Sequence, residues 1–125
     1  MNYNIKPYYN EDKTATAVLV SPGYGSGWST YNMPELAYDK RVVEYWLQHS
    51  NDKEWLKDVS GYRDTPARMQ ADEFFNSIGY PDLNFYGFQN IILKWVPLNM
   101  PFVIEEYDGA EYLMQRSDFK WTVLN

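Results

Sequence analysis

The sequence predicts an α+β domain: a mainly antiparallel β-sheet, with two principal helices inserted between N-terminal strands and a C-terminal β-meander. Runs of β-branched and aromatic residues stand at both ends of the chain, at Thr14 to Val20, Ile91 to Val96 and Phe102 to Gln115. Between them lie two stretches with apolar residues at helical spacing. The chain has 125 residues, a length that suits one domain, residues 1–125, because two cores would each be marginal.

Taken in order, Tyr3 to Tyr9 reads as a first strand, placed at a sheet edge because Pro7 cannot donate to a ladder. Asn10 to Lys13 is a polar turn, and Thr14 to Val20 a buried strand. It runs into a loop from Ser21 to Asn32, with Gly23, Gly25 and Gly27 at alternate positions. Asp39 is the expected N-cap of a first helix, whose stripe is Val42, Val43, Trp46 and Leu47. Asn51 to Gly61 is polar, with Trp55 and Leu56 embedded, and is expected to hold one short helical turn. Thr65-Pro66 starts a second helix, with cap and first-turn proline in the right order. Ala67, Ala71, Phe74, Phe75 and Ile78 mark its buried face, and Gly79 ends it. In the C-terminal third, Asp108-Gly109 is a two-residue hairpin signal between Phe102–Tyr107 and Ala110–Gln115, and Phe119 to Val123 is expected to add a last strand.

Composition removes several functional classes. There are no cysteines, so disulfides, thiolate catalysis and cysteine zinc sites are out, and His49 is the only histidine. A net charge of −6 argues against general nucleic-acid binding, which needs clustered Lys and Arg. No apolar run approaches the roughly 18 residues of a membrane span. Met1-Asn2-Tyr3-Asn4 lacks the basic and apolar stretch of a secretory signal, so a cytoplasmic protein is expected. Aromatic residues make up 18% of the chain. Such rings build a dense core in a small domain, and they also serve as anchors at a binding surface.

Four features could carry chemistry. The glycine loop would let main-chain N–H groups cradle an anion such as a phosphate, with Tyr24, Ser26, Trp28, Ser29 and Thr30 adding hydroxyls and stacking surface. It is neither a Rossmann nor a Walker fingerprint. The plainer alternative is a tight loop whose glycines make room for Trp28 to pack. Among the cations, Lys40, Arg41, Arg63, Arg68 and Arg116 are the candidate phosphate partners, Arg41 and Arg63 foremost, against ordinary surface charge. Phe85 and Tyr86 beside Asn90 could stack on a nucleobase and read its edge, or cap the core. Glu105 and Glu106 are adjacent in a strand and point to opposite faces, so they are not a catalytic pair. No Gly-x-Ser-x-Gly elbow exists for a serine nucleophile, and His49 at a helix end has a structural role available. Neither a catalytic residue, a metal nor a cofactor is expected.

Two segments resemble a family of small, mostly uncharacterised proteins of bacteriophages and prophages. One is Val18 to Asn32, which contains Ser21-Pro22-Gly23-Tyr24-Gly25-Ser26-Gly27-Trp28-Ser29-Thr30, followed by Tyr38 to Val43. The other is Leu93 to Pro97 followed by Phe102 to Glu111, with Glu105-Glu106-Tyr107-Asp108-Gly109-Ala110-Glu111. The resemblance implies a phage accessory protein acting in the bacterial cytoplasm, of the kind that counters host defence.

The leading expectation is a non-enzymatic protein that sequesters a small nucleotide, such as a cyclic-nucleotide immune signal. The expected ligand residues are Tyr24, Gly25, Ser26, Gly27, Trp28, Ser29, Thr30, Arg41, Arg63, Phe85, Tyr86 and Asn90. A homo-oligomer is expected with it, because sequestering proteins gain sites at subunit interfaces. One alternative is an acidic inhibitor of a host nuclease or other nucleic-acid-binding defence factor, through Glu35, Asp39, Glu44, Asp52, Glu54 and Asp58. Another is a virion structural or assembly protein.

Overall fold

A computed structural model describes residues 5–23, 27–61 and 64–115. Strand β1 (Ala15–Val20) pairs antiparallel with β2 (Ile92–Pro97), Ala15 opposite Pro97 and Val20 opposite Ile92. Strands β3 (Phe102–Tyr107) and β4 (Ala110–Gln115) form a second antiparallel pair. Asp108 and Gly109 join them with φ of 52° and 86°. Both values are positive, as a primed hairpin turn requires. The fold is α+β, and the three last strands follow one another as a meander, with hydrogen bonds divided between two two-stranded sheets.

The alternation of side chains along β1 explains the layering. Ala17 and Leu19 face the helices, together with Leu93 of β2. Val18 and Val20 face the other way and pack, with Val96, against Phe102, Ile104 and Leu113 of the hairpin. Strand β1 is therefore buried on both faces, between a helical layer and the β3–β4 hairpin, whereas β2 is largely exposed apart from Val96.

Three α-helices make that layer, one more than the sequence suggested. Helix α1 (Lys40–His49) starts at the Asp39 cap, and Val42 and Val43 are its fully buried residues. Leu47 of the expected stripe is exposed, since it lies one position off the face set by Val42, Val43 and Trp46. Helix α2 (Lys53–Gly61) replaces the single turn expected there. Asp52 caps it by accepting the Trp55 amide at 3.0 Å, and Trp55, Leu56 and Val59 turn inward. Helix α3 (Pro66–Ser77) has Thr65 as its cap and ends at Gly79, φ 96°. The Tyr80 amide closes that end on the Phe75 carbonyl at 2.8 Å.

The expected first strand is reduced to an extended segment. Tyr9 forms one bridge to Thr16, and the Tyr8 carbonyl accepts the Ala17 amide at 2.9 Å. Pro7 supplies the reason, having no N–H to continue the ladder. The expected strand Phe119 to Val123 lies outside the described residues. No described helix is long and apolar enough to cross a membrane.

Candidate functional site

The loop after β1 does hold an anion, and the anion belongs to the protein. Glu111, the second residue of β4, is 1% exposed and points its carboxylate into the loop. The Ser21 amide donates to Oε1 at 2.8 Å. The amides of Trp28 and Thr30 and the Thr30 hydroxyl donate to Oε2 at 2.8, 3.0 and 2.6 Å. Gly27 makes this approach possible, because a Cβ there would lie 2.6 Å from Thr30 Oγ1 and 3.2 Å from Glu111 Oε2. Gly87 plays the matching part across the gap: its missing side chain admits the Gly27 carbonyl, and its own carbonyl accepts the Ser21 hydroxyl at 3.0 Å.

Trp28 is wholly buried and donates its indole N–H to the Leu36 carbonyl at 3.1 Å. Phe75, Phe85 and Phe88 surround it at ring-centroid distances of 5.1 to 5.9 Å. Trp28 thus packs into the core, while the room left by Gly27 is taken by Thr30, Tyr31 and Glu111, and neither Trp28 nor Phe85 presents a face to a ligand. Phe85 carries the Arg68 guanidinium 4.4 Å above its ring. Tyr86 is exposed, and the Asn90 side chain lies against Gly23. Tyr24, Gly25, Ser26, Arg63 and Arg116 fall outside the described residues.

Ser29 and Thr30 have a different setting. Both line a groove of about 680 Å³ between the extended N-terminal segment, the loop and β3. Ile5, Pro7, Ala37, Tyr38, Phe102 and Ile104 give it apolar walls, and Thr16 adds a third hydroxyl. The Tyr38 and Phe102 rings meet edge to face at 6.5 Å. Burial, with Glu35 and Asp39 nearby, pushes the Tyr38 hydroxyl above its ordinary value, so it stays neutral at physiological pH. Ser29 is 3% exposed.

Three cations are chain neighbours of lining residues, although none of them lines the groove. Lys6 stands between the lining residues Ile5 and Pro7, and its carbonyl accepts the Lys40 amide at 2.8 Å. Lys40 and Arg41 open α1, two and three residues after Tyr38. Of the candidate phosphate cations within the described residues, Lys40 is exposed, Arg68 is buried against Phe85, and Arg41 is already engaged. Its guanidinium grips Asp39 with Nε at 3.1 Å and Nη2 at 2.7 Å. The Tyr80 hydroxyl donates to the same carboxylate at 2.7 Å. Burial works to raise the Asp39 carboxyl, but the bonds from Arg41 and Tyr80 outweigh it and hold Asp39 below its ordinary value. The Tyr80 hydroxyl is pushed up, by burial first and by its bond to Asp39 second.

Among the described residues, the expected ligand residues therefore scatter: Trp28 and Phe85 are in the core, Ser29 and Thr30 in the groove, Gly27 against Glu111, Asn90 against Gly23, Arg41 on Asp39, and Tyr86 in the open. The groove residues Ile5, Pro7, Tyr38, Phe102 and Ile104 were missed, as was Glu111. Alternation along β3, with Phe102 and Ile104 on one face, was the available signal for part of that wall. The expected acidic face is broken up too. Asp39 is buried in its cap, Glu35 is half-buried, and Lys53 and Lys57 interleave with Glu54 and Asp58 on α2. Among the described residues no cluster of His, Asp and Glu could hold a metal ion. No family model, curated protein or solved structure matches the chain.

Proposed function

We propose that the protein is a non-enzymatic binding protein that takes up a small nucleotide in the groove between the N-terminal segment and β3. The observation that carries this reading is an apolar, ring-lined groove whose lining also holds the hydroxyl residues Thr16, Ser29 and Thr30. Lys6 and Lys40, exposed and close in sequence to groove segments, are the cations we assign to its phosphates. A base would stack on Phe102 and Tyr38, and the hydroxyls of Thr16, Ser29 and Thr30 would meet its polar edge. Phosphates would face Lys6 and Lys40, whose exposed ammonium groups, with the N-terminal end of α1, favour negative charge. A volume of about 680 Å³ lies within the usual range for ligand sites. An acidic protein can carry such a site, because the local field follows the placement of charges and not only their sum.

The proposal includes the setting that the sequence resemblance implies: a phage product that acts in the bacterial cytoplasm and lowers the free concentration of an immune signal, as a homo-oligomer. Native mass spectrometry with a panel of cyclic nucleotides tests it, reading oligomeric state and bound mass together. Stoichiometric uptake of one nucleotide, released unchanged on denaturation, is the expected result. The double variant Lys6→Glu/Lys40→Glu is expected to bind about tenfold more weakly and to lose much of the salt dependence. Absence of added mass across the panel overturns the reading. Equal affinity in the double variant would remove the phosphates from these two lysines.

A further inference from the structure

We propose that the turn around Gly27 is a built carboxylate-binding site whose resident ligand is the protein's own Glu111, and that this occupancy sets the spacing of the groove walls. The donors are of a kind that selects an oxyanion. Three main-chain amides, of Ser21, Trp28 and Thr30, and one hydroxyl converge on the two oxygens within 2.6 to 3.0 Å. No described lysine, arginine or histidine forms an ion pair with Glu111, so the amide dipoles carry the charge alone. Charge-assisted bonds of this length are about twice as strong as neutral ones.

The donors are held by the loop and not by Glu111 itself. The Asn32 amide donates to the Ser29 carbonyl at 3.2 Å, and the Asn32 side chain donates to the Trp28 carbonyl at 2.9 Å. The Trp28 ring is anchored in the core through Leu36. A site preformed in this way keeps its geometry when its ligand is exchanged. It also joins two groove walls: Ser29 and Thr30 on the loop side, and Phe102 and Ile104 on β3, whose partner strand β4 carries Glu111. Because the cradle is filled from within, an external phosphate in the intact protein has no access to these amides. This inference does not depend on the nucleotide reading.

The test is chemical rescue of Glu111→Ala, followed by thermal unfolding and tryptophan fluorescence. Acetate is the fragment that the truncation removes. The variant is expected to melt roughly 10 °C below the parent protein in chloride. Added acetate should restore at least half of that loss with saturable dependence, while equal ionic strength of chloride restores none and the parent protein does not respond. Thr30→Val in the same background should raise the acetate concentration needed by about tenfold, having lost the hydroxyl donor. A folded Glu111→Ala protein indifferent to acetate overturns the proposal. Should the variant fold only with help, refolding yield in acetate against chloride reads the same property, and equal yields overturn it.

Discussion

Two buried carboxylates anchor this molecule by opposite means. Asp39 sits at the start of α1, holds the Arg41 amide as a cap, and meets a guanidinium and a phenol. Every partner except Tyr80 is within two residues of it. Glu111 pairs with no cation among the described residues, and its donors lie 81 to 90 residues away along the chain. One is a local device that borrows a tertiary contact. The other is a purely tertiary device, in which the backbone of a distant loop replaces the counter-ion. The difference predicts how each region fails: loss of Asp39 frees a half-exposed arginine into water, whereas loss of Glu111 strands buried amides.

The largest expected effect follows directly. Glu111→Gln keeps the shape of the side chain but turns an NH2 group toward at least one amide donor, so one buried N–H must lose its partner. The expected destabilisation is about 3 kcal/mol. Asp39→Asn keeps a capping oxygen, and the Tyr80 hydroxyl can accept where it formerly donated, so the expected cost is nearer about 1 kcal/mol. Urea unfolding of both variants checks the order. Equal costs would mean that backbone amides and a guanidinium serve a buried carboxylate alike, and the contrast would collapse.

A smaller effect concerns Asp39 and pH. Asp39 titrates below its ordinary value of 3.8. The depressed value means that its contribution to stability is fully present above the unfolded-state value and is lost as pH falls through the folded-state one. Asp39→Asn should flatten the acid limb of the stability profile below about pH 4, leaving the neutral region shifted but parallel. An acid limb unchanged in the variant would assign that limb to other carboxylates.

What the sequence made legible follows the same division between local and distant. Asp39, Thr65-Pro66, Gly79 and Asp108-Gly109 were read from a few neighbouring residues, and each does in the fold what its spacing required. Helix α2 was underread although Asp52 supplied a cap and Trp55, Leu56 and Val59 supplied a helical stripe. Its dense charge hid a short apolar face. Main-chain anion chemistry in this loop was legible in outline, although the amides that donate to Glu111 are those of Ser21, Trp28 and Thr30 and not of the glycines. The occupant was not, since nothing near Glu111 marks it as different from Glu105 or Glu106. Trp28 posed the same problem, for a ring beside glycines packs inward or outward according to distant residues such as Phe75 and Phe88. The groove assembles from four separated parts of the chain, 5–7, Thr16, 29–38 and 102–104, and no local pattern joins them.

The smallest effect lies in the helical layer and tests whether its single histidine matters to stability at all. His49 ends α1 with its ring stacked on Trp55, centroids 3.7 Å apart and planes 9° from parallel. Burial lowers its pKa below the ordinary 6.5, and Asp52 opposes the shift only in part. A depressed folded-state value means that the unfolded chain takes up its proton first as pH falls. The neutral ring therefore contributes stability above about pH 6.5, and that contribution declines below it. His49→Phe keeps the stack and removes the titration, so the slope of melting temperature between pH 7 and 5 should become shallower, by a modest amount because the ring still meets water. A slope that steepens instead would mean that the imidazolium gains more from the Trp55 face and the end of α1 than it loses on leaving solvent.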